Sequence, residues 1–284
     1  MKKTVCTLLI IIAIASITGC TSKLKVDEDA VKDVSDKITE AIINTVGKEA
    51  AESQKSHTIN AADLDTLNIK STVGDINITS VESEEAVINI NIVANSSSKE
   101  KSQQLIENFT YTTEKQLNSI VINTSNKSME NNDDSSIKTE LDISVPLNID
   151  NIVISLNVGD VNLKNINGKF EIVDNVGDMT VENCDGYYNL KSDVGEIVLI
   201  NSAAKGKSEF NTNTGDINVV FTDIANADSI TAKTGVGDIK MSLPENSSYE
   251  AVINKFMEDE KTEKSGDGNT KIELKTGVGS IDFK

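Results

Sequence analysis

The sequence has no tryptophan, and aromatic residues make up only 4% of it. A core built on large rings is therefore disfavoured, and so are the aromatic platforms that carbohydrate sites usually carry. There is also no arginine: the 27 basic residues are all lysine, set against 45 acidic ones. The formal charge of −18 repels nucleic acid and favours cations or cationic peptides as partners. The one histidine, His57, lies in a polar stretch with no second histidine or paired cysteine. It reads as a surface residue. A histidine-based zinc site then has no support, and Ser-His-Asp or Cys-His catalysis has none beyond this residue. Of three cysteines, Cys6 and Cys20 belong to the N-terminal leader and its processing site. Only Cys184 remains, so no intramolecular disulfide is expected. Cys184 follows Gly177 at the interval by which Ile166 follows Gly159, a spacing that marks inward-facing filler.

What is present begins with a leader. Lys2-Lys3 is a positive n-region and Val5 to Ala15 an apolar h-region, too short for an ordinary transmembrane helix. Ile17-Thr18-Gly19-Cys20 follows and resembles the bacterial lipoprotein signal, in which the cysteine is lipidated and becomes the first residue. Residues 1–19 are thus expected to be removed, and Cys20 is expected to anchor the chain to the bacterial cell membrane. No other long apolar run occurs, so the remainder is expected to be soluble and extracytoplasmic.

The organising feature is a repeated phrase. It reads Asn157-Val158-Gly159-Asp160-Val161, then Asn175-Val176-Gly177-Asp178-Met179, then Asp193-Val194-Gly195-Glu196-Ile197. It continues as Asn213-Thr214-Gly215-Asp216-Ile217 and Gly235-Val236-Gly237-Asp238-Ile239. The central glycines step by 18, 18, 20 and 22 residues. Shorter copies surround Gly74 and Gly279, near the two ends. A fixed period near twenty signals stacked repeats. Leu156 and Val158 share one side-chain parity, and Val161 and Leu163 the other. Alternation marks half-buried strands, and the parity flip makes Gly-Asp a corner, bulge or turn. A second corner follows at Asn167-Gly168, Asp185-Gly186 and Lys205-Gly206. The fold class is therefore all-β: a β-solenoid-like stack of short two-strand repeats. The alternative is an antiparallel β-meander with Gly-Asp as its hairpin loop.

The rest of the chain frames this stack. After a tether (21–25), apolar residues Val31, Val34, Ile38, Ile42 and Val46 fall at helical spacing. That helix suits capping or stalk duty. Residues 49–56 read as a polar linker. This divides the chain into a leader (1–19), an anchored tether and helix (20–56) and a repeat β domain (57–284), most regular over 141–284. Within it, 87–93 and 120–123 read as strands and 97–109 as a short helix. Residues 126–136 read as a loop and 257–268 as a charged loop. The 42-residue step from Gly237 to Gly279 suggests a coil that has lost its phrase.

The segment Leu141 to Pro146, the Val-Gly-Asp-Val phrases and the ending Lys271 to Ile281 together resemble a broad bacterial family of putative-adhesin domains. That family is found on cell-surface and lipid-anchored proteins, and the resemblance spans roughly 65–284. It implies a β-solenoid with surface display, attachment or an envelope-stress role, and carries over no catalytic residues. Ser280 replaces the aspartate of the final phrase.

The acidic residues suggest two kinds of chemistry. In-register coils would align Asp160, Asp178, Glu196, Asp216 and Asp238, with Asp75 more distant, about 4.8 Å apart. A calcium ion between them would relieve repulsion of about 1 kcal/mol per pair, but calcium needs six to eight oxygens. Corner geometry with solvated charge accounts for the same residues. A glycosidase-type carboxylate pair is the second, against which stand the sparse aromatics Tyr187, Tyr188, Phe210 and Phe221. The sequence reads as a non-enzymatic, lipid-anchored surface scaffold without a cofactor. Its expected partners are an envelope protein, a polysaccharide or a cationic peptide. The alternative is an envelope-stress module binding cations or cationic peptides through its acidic surface.

Overall fold

The computed structural model describes residues 49–126, 135–255 and 258–284. The leader, Cys20, the tether and the helix expected over 26–46 lie outside the described residues, as does most of the loop 126–136. In chain order the elements are β1 (Glu49–Asn60), β2 (Thr66–Val73), β3 (Asp75–Val81), β4 (Glu85–Ser96), α1 (Lys99–Asn108), β5 (Phe109–Gln116), β6 (Ser119–Asn126) and β7 (Ser136–Pro146). The repeats supply β8 (Asn151–Val158), β9 (Val161–Lys164), β10 (Gly168–Val176), β11 (Met179–Glu182), β12 (Gly186–Val194), β13 (Ile197–Thr214), β14 (Ile217–Val236) and β15 (Ile239–Ser242). The chain closes with β16 (Tyr249–Lys255), β17 (Lys261–Ser265), β18 (Thr270–Val278) and β19 (Ile281–Phe283).

These strands form a two-faced β-solenoid. Each rung places one strand on the first face, turns at a glycine, and places the next strand on the second face. The rungs centre on Gly74, Gly159, Gly177, Gly195, Gly215, Gly237 and Gly279, and neighbours pair in parallel and in phase. Gly168 lies opposite Gly186, and Val176 opposite Val194. Parallel pairing excludes the meander for the repeats. Antiparallel pairs are confined to the two ends, as β1–β4, β4–β7 and β5–β6 at one and β16–β17 at the other.

The parity flip has a direct structural meaning. Inward positions on the first face form columns such as Ile69, Ile154, Ile172, Leu190 and Phe210. On the second face Ile76, Val161, Met179, Ile197, Ile217 and Ile239 align, all fully buried. Like side chains thus stack on like, and a rung too thin to bury its own apolar side does so against its neighbours. The few rings also stack: Phe170 on Tyr188 at 5.4 Å and Tyr188 on Phe210 at 5.6 Å. Cys184 is buried as filler between rungs, and its burial pushes the thiol up to about 11.

Four expectations change. The segment 49–56 is not a linker but most of β1, an edge strand paired with β4. Within 49–56 only Ala51 is fully buried, so alternation is invisible, and Glu52 and Lys55 lie on a strand that pairs with no other described strand than β4. The Gly74 rung is not remote from the others: β2 pairs with β8 and β3 with β9. The intervening residues form β4, α1, β5, β6 and β7, which close the first end. Helix α1 begins at Ser98, whose side chain accepts from the Lys101 amide at 3.3 Å. Third, no coil has lost its phrase before Gly279, because β18 and β19 stack directly on the Gly237 rung. The extra residues form a hairpin of β16 and β17 beyond it, so part of the expected charged loop is strand. Finally, at the second corner Gly168 and Gly206 share the positive-φ backbone with Asn165, Asn183 and Asn201, which sequence alone did not single out and which lie at φ 59°, 54° and 54°. Asparagine tolerates this region, and the three side chains bond in series.

Candidate interaction surface

The first corner is built the same way on every rung. Each glycine has φ between 135° and 156°. Its amide donates to the carbonyl of the residue preceding the next glycine: Gly159 to Val176 at 3.0 Å, Gly177 to Val194 at 3.0 Å and Gly215 to Val236 at 2.9 Å. A side chain at Gly177, Gly195, Gly215, Gly237 or Gly279 would strike the carbonyl oxygen of the glycine one rung back. At Gly74 the obstacle is Thr139, which closes the column.

The acidic column is assembled by this corner. Asp75 is adjacent to it rather than distant. The Asp160 amide donates to the Asp75 carboxylate at 3.2 Å, Asp178 to Asp160 at 2.9 Å and Glu196 to Asp178 at 2.8 Å. Asp238 donates to Asp216 at 2.8 Å, and Ser280 to Asp238 at 2.7 Å. The Ser280 amide and hydroxyl hold the Asp238 carboxyl below its usual range. Each aspartate therefore satisfies a corner amide that the β ladder does not reach. Glu196, one methylene longer, bonds the Asn218 side chain instead. Lys138 pairs with Asp75 at 3.0 Å; among the described residues, the other five acids of the column form no ion pair. Asp178→Asn keeps the acceptor and removes the charge. It is expected to leave the melting temperature unchanged or slightly raised at low salt, whereas Asp178→Ala costs about 1 kcal/mol; thermal unfolding of both variants checks this.

Beside the acids runs a feature that alternation alone concealed. Val158, grouped by parity with the inward Leu156, is turned outward by the corner. Val158 and Val176 are each 46% exposed, Val194 49%, Val236 50% and Val278 63%. Register places them in single file with Val73 at one end and Thr214 between Val194 and Val236. On the other flank Asn157 and Asn175 are bonded at 3.4 Å, and Asp193 and Asn213 at 2.9 Å. The recurring valine just before each glycine was the available sequence signal.

The remaining candidates are placed as follows. His57 lies on β1, its ring 5.5 Å from Tyr111, with Nε2 buried and without a hydrogen-bond partner. Among the described residues no three His, Cys, Asp or Glu side chains converge as a metal site. A cleft of about 200 Å³ at the far end is lined by Ile253, Lys255, Lys261, Glu263, Asp282 and Phe283 among others. Both lysines of its lining are paired, Lys255 with Glu258 and Lys261 with Glu263. No described helix is long and apolar enough to cross a membrane.

A corner glycine repeated in phase, an aspartate serving the next rung and a final Val-Gly-Ser-Ile rung agree with a family match over residues 97–282, to the domain described as Toastrack DUF4097. The chain belongs to the Toastrack DUF4097 family. No curated protein matches it. Solved structures similar to this Toastrack chain include a putative adhesin from Bacteroides fragilis, at 17% identity and TM-score 0.48, covering 82% of this chain and 97% of that one. Another is a putative cell adhesion protein from Clostridium sporogenes, at 16% identity and TM-score 0.36, covering 83% and 99%. A third, described as a putative lipid binding protein, comes from Parabacteroides distasonis, at 12% identity and TM-score 0.29, covering 81% and 94%.

Proposed function

We propose that this Toastrack protein is a non-enzymatic scaffold, lipid-anchored to the outer side of the bacterial cell membrane, that presents the edges of its stack to partners. The observation that carries the reading is the uninterrupted run of in-phase rungs. Their interiors are filled by columns of mostly aliphatic side chains with a short ring stack, so recognition is left to what the corners and outer faces display. Anchoring is supported by the lysine-flanked apolar leader ending in Ile17-Thr18-Gly19-Cys20. Acyl chains on Cys20 would hold the rod at the surface, and the tether and predicted helix would set its distance from it.

The test is fractionation of cells expressing the full chain and its Cys20→Ser variant. The wild type is expected in the membrane fraction and the variant in soluble extracytoplasmic material. Equal membrane retention of both would refute the anchor.

A further inference from the structure

We propose that the file of corner valines is a docking strip for a cationic amphipathic helix. The inference rests on the reading above only in requiring that this edge face a partner outside the cell. The valines are not demanded by the fold. Thr214 occupies the same register with the same corner hydrogen bonding, its carbonyl receiving the Gly195 amide at 2.9 Å. Yet the other repeats from Val158 to Val278 keep a half-exposed apolar side chain there, in line, over about 24 Å at the ordinary strand spacing. An exposed apolar strip of this kind, broken at Thr214, marks an interaction site.

The flanks decide the partner. Along one side run Asp160, Asp178, Glu196, Asp216 and Asp238 without a described lysine partner. A second copy of this chain would bring a like column against them on a molecule of net charge −18, and an anionic lipid surface would meet the same repulsion. A segment with apolar residues on one face and lysines beside them meets both columns at once. An α-helix advances about 5.4 Å per turn, close to the rung spacing of about 4.8 Å. Apolar side chains on successive turns therefore meet successive valines over two or three rungs.

The test uses the full chain held in zwitterionic lipid nanodiscs, with empty discs as the control. The probe is a synthetic Lys/Leu peptide of about 18 residues, with leucine at helical spacing. Binding is read at physiological ionic strength. Combined Val158→Thr, Val176→Thr, Val194→Thr and Val236→Thr are expected to weaken it at least tenfold, with unchanged unfolding midpoints. Combined Asp160→Asn, Asp178→Asn and Asp216→Asn are expected to weaken it similarly and flatten its salt dependence. An oligolysine without leucine is expected to bind at least tenfold more weakly and not to respond to the valine changes. Binding no greater than to empty discs overturns the proposal, as does unchanged affinity in either combined variant. So does a chain dimer that the valine changes dissolve. Release of wild-type chain from membranes in the fractionation above would sink the anchoring reading and leave peptide binding to be judged separately.

Discussion

Replacing Gly195 by alanine is expected to destabilise the stack by about 3–5 kcal/mol, among the largest effects of any single substitution. Two costs combine. At φ 156° the backbone is in a region that residues with a Cβ rarely adopt. The new methyl would also overlap the Gly177 carbonyl oxygen, part of a backbone already committed to the next rung. Relief requires separating two rungs, which breaks their parallel bonds on both faces. Gly206→Asn is the contrast. There φ is 52°, which asparagine tolerates, and the obstacle is the ring of Tyr187, 48% exposed and free to swing aside. Its expected cost is below about 1 kcal/mol. Urea unfolding of both variants checks the pair; equal costs would show that the glycine column is not what sets the rung spacing.

Asp174→Thr is expected to have the opposite sign and a comparable size. Asp174 points into the core beside the corner at 1% exposure, and neither carboxylate oxygen has a hydrogen-bond partner. Burial pushes its carboxyl up to about 6; the Val176 and Asn175 amides ease this without forming well-aligned bonds, and Asp160 and Asp178 add to it. Three rungs show what the position prefers. Thr212 donates to the Gly195 carbonyl at 3.1 Å, Thr234 to Gly215 at 2.9 Å and Thr276 to Gly237 at 2.9 Å. The folded state holds the Asp174 proton more tightly than the unfolded chain does. Stability is therefore greatest below the ordinary carboxylate range, falls as pH rises from about 4 to about 6, and stays lower above that. A raised value near 6 corresponds to about 3 kcal/mol at neutral pH. Threonine removes that term and restores the donor. The gain should appear at pH 7 and largely vanish at pH 4 in urea unfolding. A gain independent of pH would assign the effect to packing rather than to charge.

Much of this architecture was legible because its inner positions repeat chemically. The flip from Leu156 to Val161 announced a corner, and the recurrence of that corner in phase announced stacking. Order along the rod was not legible. Nothing between residues 82 and 150 says that the Gly74 rung docks on Gly159, because parallel pairing is set by matching columns across 85 residues. β1 was missed because an edge strand can be polar on both sides. The acidic column was visible in the sequence, but its purpose was not: which amide each carboxylate serves depends on backbone that only the folded corner brings within 3 Å. The valine file was obscured by the very alternation that revealed the strands, since a corner rotates the last side chain of each strand out of the pattern.

The antiparallel strands at the two ends set a limit on assembly. A parallel stack with open ends is a template onto which another copy adds indefinitely. Among the described outermost strands, β5 at one end and β17 at the other run against the stack, while β1 and β19 keep its direction; β1, β5 and β17 carry Glu52, Lys55, Glu114, Lys115, Lys261 and Lys264. On the first face an incoming rung finds the reversed polarity at both ends, with a fringe of charge. End-to-end addition of a second stack is thereby disfavoured on that face, which leaves growth without limit no ready template there.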